Sequence, residues 1–158
     1  MTEEDRQKDL KFMALALEEA KNAALRDEVP IGAVLVDANG TILAQTSNRT
    51  IELSDPTAHA EILAIRDACR KAGSQRIPGC DLYITLEPCA MCAGAISFAR
   101  IRRVIFAAPD PKGGGVLHGG QFFNQPTCHH RPEILDGMMA EDSTTLLKGF
   151  FKEKRERG

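Results

Sequence analysis

Apolar positions recur along the first part of the chain at helical spacing. Leu10, Met13, Ala14, Leu17 and Ala20 are separated by charged residues, which predicts an amphipathic helix running to about Leu25 and ended by Pro30. The period then changes. Residues 31–36 and 41–44 are short β-branched runs on either side of Asp37-Ala38-Asn39-Gly40, the composition of a hairpin turn. Thr57 is placed to cap a helix reaching about Lys71, and Gly73 marks its end. Residues 82–86 read as a buried strand, Ala90–Phe98 as a helix and residues 104–107 as another strand. A last helix, at about residues 141–157, finishes in a charged tail. Strand and helix alternate after residue 50, which calls for parallel strands with helices on the sheet faces. The expected architecture is α/β, a three-layer α/β/α sandwich around a mixed central sheet. No internal repeat or linker interrupts it, so residues 1–158 are expected to form a single domain.

Composition agrees with such a domain without selecting its function. The chain has 158 residues, of which 43% are apolar and 27% charged, with no Trp and a net charge of −2. That suffices for one compact core and excludes disordered and fibrous classes. Glu3, Glu4, Asp5, Arg6, Lys8 and Asp9 precede any apolar run, which is not a signal-peptide pattern, and no stretch approaches a membrane span. A cytoplasmic location is expected. There are five cysteines, two of them in a Cys-x-x-Cys, and in this context that favours metal or redox use over a disulfide framework. Cys69, Cys80 and Cys128 read as small buried or incidental residues.

The chemistry concentrates in His59-Ala60-Glu61 and Pro88-Cys89-Ala90-Met91-Cys92. His59, Cys89 and Cys92 offer three ligands to one Zn²⁺, and three protein ligands leave the fourth tetrahedral position to water, as catalytic zinc sites do. Cys89 and Cys92 are three apart at a helix start after a strand, so both sulfurs share one face near backbone N–H groups that favour thiolates. His59 and Glu61 are two apart. Within a regular helix that spacing turns them roughly 200° from each other, so they must lie at a first turn. Two thiolates and a neutral imidazole cancel the ion's charge, and its bound water is then less acidic than the value of about 7 at an all-histidine site. A base must assist, and Glu61 is the catalytic candidate. Other readings of these residues stay open. Cys-x-x-Cys after a strand also suits a thioredoxin-like redox pair, and a closed structural zinc would draw a fourth ligand from His118, Cys128, His129 or His130. Glu87, just before a proline, reads as a turn or capping group and is assigned no chemistry.

His-x-Glu followed by Pro-Cys-x-x-Cys is the zinc deaminase signature. The chain resembles bacterial tRNA-specific adenosine deaminases within the cytidine deaminase-like superfamily. The likeness rests on residues 28–36, Asn48-Arg49, residues 55–62 and residues 82–96. It runs from about residue 8 to 112, returns at residues 146–152 and weakens between 113 and 132. It implies a cytidine deaminase-like fold, one Zn²⁺ per chain and a homodimer. It also implies hydrolytic conversion of adenosine to inosine in a tRNA anticodon loop, at the wobble position. Glu61 would carry protons from the attacking water to ring N1 and to the departing ammonia.

For substrate binding, the resemblance implies that Asn48 hydrogen-bonds the nucleoside and that Asp110 contacts the ribose; either residue also suits a plain turn. Val29, Pro30, Ala58 and the Pro88 turn are expected to wall the base pocket, although their apolar character fits ordinary core equally. A net charge of −2 argues against a strongly electrostatic nucleic-acid binder, yet basic residues cluster locally. Arg102, Arg103 and Lys112 are expected near the site mouth, and Lys152, Lys154 and Arg155 on the last helix, as contacts to the RNA backbone. Phe150 and Phe151 beside them are candidates to stack on a loop base. The competing reading within the same chemistry is a deaminase of a free nucleobase or nucleoside such as guanine or cytidine. From another class, it is a Cys-x-x-Cys redox or zinc-stabilised interaction protein.

Overall fold

The computed structural model describes residues 1–157. Four helices, α1 (Glu3–Leu25), α2 (Ala60–Ala72), α3 (Ala90–Phe98) and α4 (Ala140–Arg157), surround five strands, β1 (Gly32–Val36), β2 (Ile42–Ser47), β3 (Asp81–Leu86), β4 (Arg103–Ala108) and β5 (Glu133–Asp136). The strand order is β2-β1-β3-β4-β5. β1 runs antiparallel to β2 and β3, while β4 is parallel to both β3 and β5. The expected mixed α/β/α sandwich is therefore present.

Alternation along the strands divides the core in two. Ala33, Leu35, Leu82, Ile84, Val104 and Phe106 face α2 and α3, whereas Val34, Val36, Tyr83 and Ile105 face α1. Both sets are fully or nearly fully buried, as strands covered on both faces require. α1 lies so close to the sheet that a Cβ on Gly32 would stand 2.0 Å from the carbonyl oxygen of Ala16, so only glycine permits the contact. Among the described residues no helix is long and apolar enough to cross a membrane.

Register decides what gathers at each end of the sheet. Ala33 pairs with Ile84 and Gly32 with Ser47, so residues 29–31, Asn48, Leu86 and Ala108 come together at one end. The other end holds Asp81 and Arg103, the first residues of β3 and β4. Arg103 donates to both carboxylate oxygens of Asp9 and to Asp81, Arg102 also donates to Asp81, and the Tyr83 hydroxyl donates to Asp9. This corrects the expectation for Arg102 and Arg103. They do not sit at the mouth near Asp110, because the whole of β4 intervenes, roughly 20 Å of extended chain.

Candidate zinc-centred active site

Two helix starts meet at the carboxyl end of β3. His59 is the N-cap of α2 and Cys89 the N-cap of α3, both with extended backbone and neither using its side chain to cap. Thr57, expected as the cap of α2, instead donates through its N–H and hydroxyl to Asp55, and the helix begins only at Ala60. That delay leaves the imidazole free to turn toward the cysteines. Glu61 then falls in the first turn of α2, where its spacing from His59 required it to be.

Nδ1 of His59 lies 3.6 Å from the Cys89 sulfur and 3.5 Å from that of Cys92. Zinc bonds of about 2.3 Å to sulfur and about 2.0–2.1 Å to nitrogen, set at a tetrahedral angle, demand an S···N separation of about 3.6 Å. The donor set therefore fits Zn²⁺ in identity and in span. Among the described residues no other group of three such side chains converges in this way. Three of the four candidates for a fourth ligand are engaged elsewhere, His118 Nδ1 on Glu87, the Cys128 thiol near Ser97 and His130 Nε2 on the carbonyl of Ile101, and His129 does not join the group. Three converging protein ligands, with no fourth in the group among the described residues, fit a catalytic zinc site rather than a closed structural one, which takes four. A redox pair would not need an imidazole within 3.6 Å of both sulfurs.

Electrostatics support the same roles. A hydrogen bond from Cys92, with one from His59, draws the Cys89 thiol down to about 4. That same bond and burial push Cys92 well up, since two adjacent thiols release only one proton readily when no cation is bound. His59 is raised by its bond to Cys89. Burial lifts the Glu61 carboxyl to about 7, where a group can both take and give a proton near neutrality.

Around this centre the structure assembles several expected substrate residues. Asn48 is buried and its Oδ1 has no hydrogen-bond partner within the protein, an acceptor left waiting for a donor. Pro30, Ala58 and Pro88 are buried at the same end of the sheet. Val29 and Asp110 line a groove of about 970 Å³ together with Leu86, Lys112, Phe151, Lys152 and Arg155. The α4 residues in that groove are 144, 147, 148, 151, 152 and 155, one continuous stripe of a helix. Phe150 is a correction. It points the other way into the core, and Lys154 lies over its ring at 5.3 Å, so neither lines the groove.

Two buried carboxylates outside the motifs also shape the site. Glu28 accepts from the N–H groups of Ile51 and Glu52, holding the loop between Asn48 and His59. Glu87, read from the sequence as a turn or capping group, accepts from the N–H groups of Asp110, Val116, Leu117 and His118. Neither set of partners has a sequence signal, because they lie more than 20 residues away. Cys80 is buried, and Cys69 and Cys128 pack against the core, as expected of incidental thiols.

Residues 6–108 match the family described as the cytidine and deoxycytidylate deaminase zinc-binding region. The tRNA-specific adenosine deaminase of Agrobacterium fabrum is 60% identical over 144 residues, covering 91% of this chain and 94% of that one. The chain belongs to this family. The tRNA-specific adenosine deaminase of Rickettsia bellii is 47% identical and covers 91% of this chain and all of its own. A solved structure from work on A-to-I editing by tRNA:A34 deaminases at the wobble position superposes with a TM-score of 0.85 at 59% identity. It covers 87% of this chain and 99% of that one. His59, Glu61, Cys89 and Cys92 all fall inside the matched deaminase region.

Proposed function

We infer that the chain hydrolyses adenosine to inosine at the wobble position of a tRNA anticodon loop. The carrying observation is the convergence of His59, Cys89 and Cys92 beside the buried carboxyl of Glu61, in a chain 60% identical to a tRNA-specific adenosine deaminase. The three side chains would hold one Zn²⁺. Bound there, the ion supplies a Lewis acid that makes water a stronger acid and nucleophile at neutral pH.

The chain's own residues do the remainder. Glu61 takes a proton from the attacking water as oxygen bonds to C6 of the base, and hands it to N1. Glu61 then takes the remaining proton from the new C6 hydroxyl, which becomes a carbonyl as the C6–N6 bond breaks, and delivers it to the leaving amino group, so one water is consumed and one ammonia released. Burial of Glu61 keeps bulk water from short-circuiting these transfers. Asn48 Oδ1 accepts from the nucleoside, and Pro30, Ala58 and Pro88 close around the base. Asp110, at the groove edge, takes the ribose, whose 2′-hydroxyl separates RNA from DNA. The groove stripe of α4, with Lys112, Lys152 and Arg155 as phosphate contacts and Phe151 as an aromatic surface, receives the flanking loop.

We read the whole chain as one catalytic domain ending in the basic helix α4, and place the reaction in the cytoplasm with tRNA. We also assign it a homodimer through the outer face of α3, where Phe98 is 76% exposed and Met91 39%. Sedimentation as a monomer at micromolar concentration would remove that assignment. The activity itself is tested by supplying zinc-loaded protein with anticodon stem-loop RNA and, separately, with free adenosine, cytidine and guanine. Inosine is expected in the RNA alone. Rapid turnover of a free base with none in RNA identifies a small-substrate deaminase instead.

A further inference from the structure

The Glu87 side chain is completely buried, yet it touches neither the three ligand atoms nor the groove. Its Oε2 accepts three successive backbone N–H groups, those of Val116 at 3.1 Å, Leu117 at 3.0 Å and His118 at 3.1 Å. Its Oε1 accepts from the N–H of Asp110 at 2.9 Å and lies 2.8 Å from Nδ1 of His118. Backbone bonds reinforce the seat: the Glu87 N–H donates to Ala108, and the Gly115 N–H donates to Pro88, both at 2.8 Å. A Cβ on Gly114 would stand 2.2 Å from Oε2, so the loop reaches the carboxylate only because residue 114 is glycine. One side chain thus clamps the loop between β4 and β5 onto the turn that carries Cys89.

We propose that Glu87 is a positioning residue that fixes Asp110 relative to the zinc-ligand turn, and so sets where the ribose of the target nucleotide is held. The inference rests on the reading of Asp110 as a ribose contact. Asp110 has two supports. Its backbone N–H is held by Glu87, and its own Oδ1 accepts from the N–H groups of Lys112 and Gly113. Removing the first lets the carboxylate swing with its loop, which weakens substrate binding in ground and transition states alike. The expected signature is a raised KM with kcat little changed.

Glu87→Gln keeps the size of the side chain but replaces one acceptor oxygen by an NH₂ group. With the amide oxygen kept toward Val116, Leu117 and His118, the NH₂ meets the Asp110 N–H, and two donors oppose each other. Zinc-loaded variants are assayed on anticodon stem-loop RNA. Glu87→Gln is expected to retain stoichiometric zinc and to raise KM about tenfold, the size of one lost buried hydrogen bond, with kcat within about threefold. Asp110→Ala also raises KM, and the double variant is expected to be no worse than the larger single effect, because both remove one arrangement. Gly114→Ala is the independent probe. Its Cβ, which would stand 2.2 Å from Oε2 and 2.6 Å from the Asp110 carbonyl oxygen, pushes the loop and Asp110 off the carboxylate without altering Glu87, and the same KM rise and the same non-additivity with Asp110→Ala are expected. Multiplying effects of Glu87→Gln and Asp110→Ala, a fall in kcat at unchanged KM, or loss of fold in both Glu87→Gln and Gly114→Ala would overturn the proposal in favour of a purely structural carboxylate. A wild-type protein that makes no inosine in the stem-loop overturns the functional reading first, and that failure is seen before any variant is compared.

Discussion

At the carboxyl ends of β3 and β4 the polar side chains stand at helix starts with capacity to spare. The Oδ1 of Asn48 lacks a partner within the protein, and the ligand atoms of His59, Cys89 and Cys92 converge within 4.8 Å of one another. At the amino ends of the same strands Asp9, Asp81, Tyr83 and Arg103 bind one another. One end is arranged to receive something; the other pairs its charges among themselves, with the Oδ1 of Asp81 left without a partner. In α/β sheets, crevices form outside the carboxyl ends of the strands, where helix N-termini point inward. Charge alone therefore says little about which end works. A part-buried arginine held by two aspartates is spent, while an exposed lysine on a helix stripe is not.

The sharpest test of the receiving end is Glu61→Ala. Zinc content and fold should persist while turnover falls by about 10²- to 10⁴-fold or more, because the side chain serves successive proton transfers rather than coordination. Measuring the rate beside metal content decides it, and near-normal turnover would assign the shuttle elsewhere. Cys89→Ala and Cys92→Ala act on the metal instead. Each should lose zinc and thermal stability together, since the ion ties the start of α2 to the start of α3 and its binding energy adds to folding. Full zinc stoichiometry in both variants would dissolve the site.

The self-paired end predicts the opposite pattern. Arg103→Ala leaves the carboxylate of Asp9, 1% exposed, without a cation and held only by the Tyr83 hydroxyl, and leaves Asp81, 5% exposed, to Arg102 alone. Removing one partner of a buried pair costs about 3–5 kcal/mol, on the order of 10 °C in melting temperature for a chain of this length. RNA affinity and its salt dependence should not change at temperatures where the variant is folded. A weakened RNA complex there would erase the distinction between the two ends.

How far these ends could be told apart from sequence depended on the range of the interactions. The zinc centre was legible because its demands are local: Cys89 and Cys92 lie one helical turn apart, His59 and Glu61 straddle a helix start, and α3 spans the residues its pattern predicted. β5 was not anticipated. Its four residues are only half-buried, and they form a strand because the edge of β4 is there to pair with. Arg102 and Arg103 were misplaced because nearness in sequence to Asp110 conceals the length of an intervening strand, and their partners Asp81 and Asp9 lie 21 and 94 residues away. Glu87 was legible as a turn or capping group, but the loop it holds was not, its amide partners being 23 to 31 residues further on. Phe150 and Phe151 are adjacent letters of one type, and only the phase of α4 against the sheet sends one inward and the other to the groove.

That phase gives the smallest and most discriminating prediction. Lys152 and Arg155 lie on the groove stripe of α4 with Phe151, whereas Lys154 turns toward the Phe150 ring. All three carry the same charge and lie within four residues of one another, so a tail that binds RNA by charge density alone would lose affinity equally from each. If the groove seats the anticodon loop, each lost phosphate contact removes about 0.7–0.9 from the slope of log K against log salt. Lys152→Ala and Arg155→Ala should each flatten the slope by that amount, while Lys154→Ala leaves it unchanged. Binding titrations of anticodon stem-loop RNA across a salt series resolve the difference. Equal slopes lost at all three positions would show that α4 acts as a diffuse basic tail and that the groove does not choose the RNA's path.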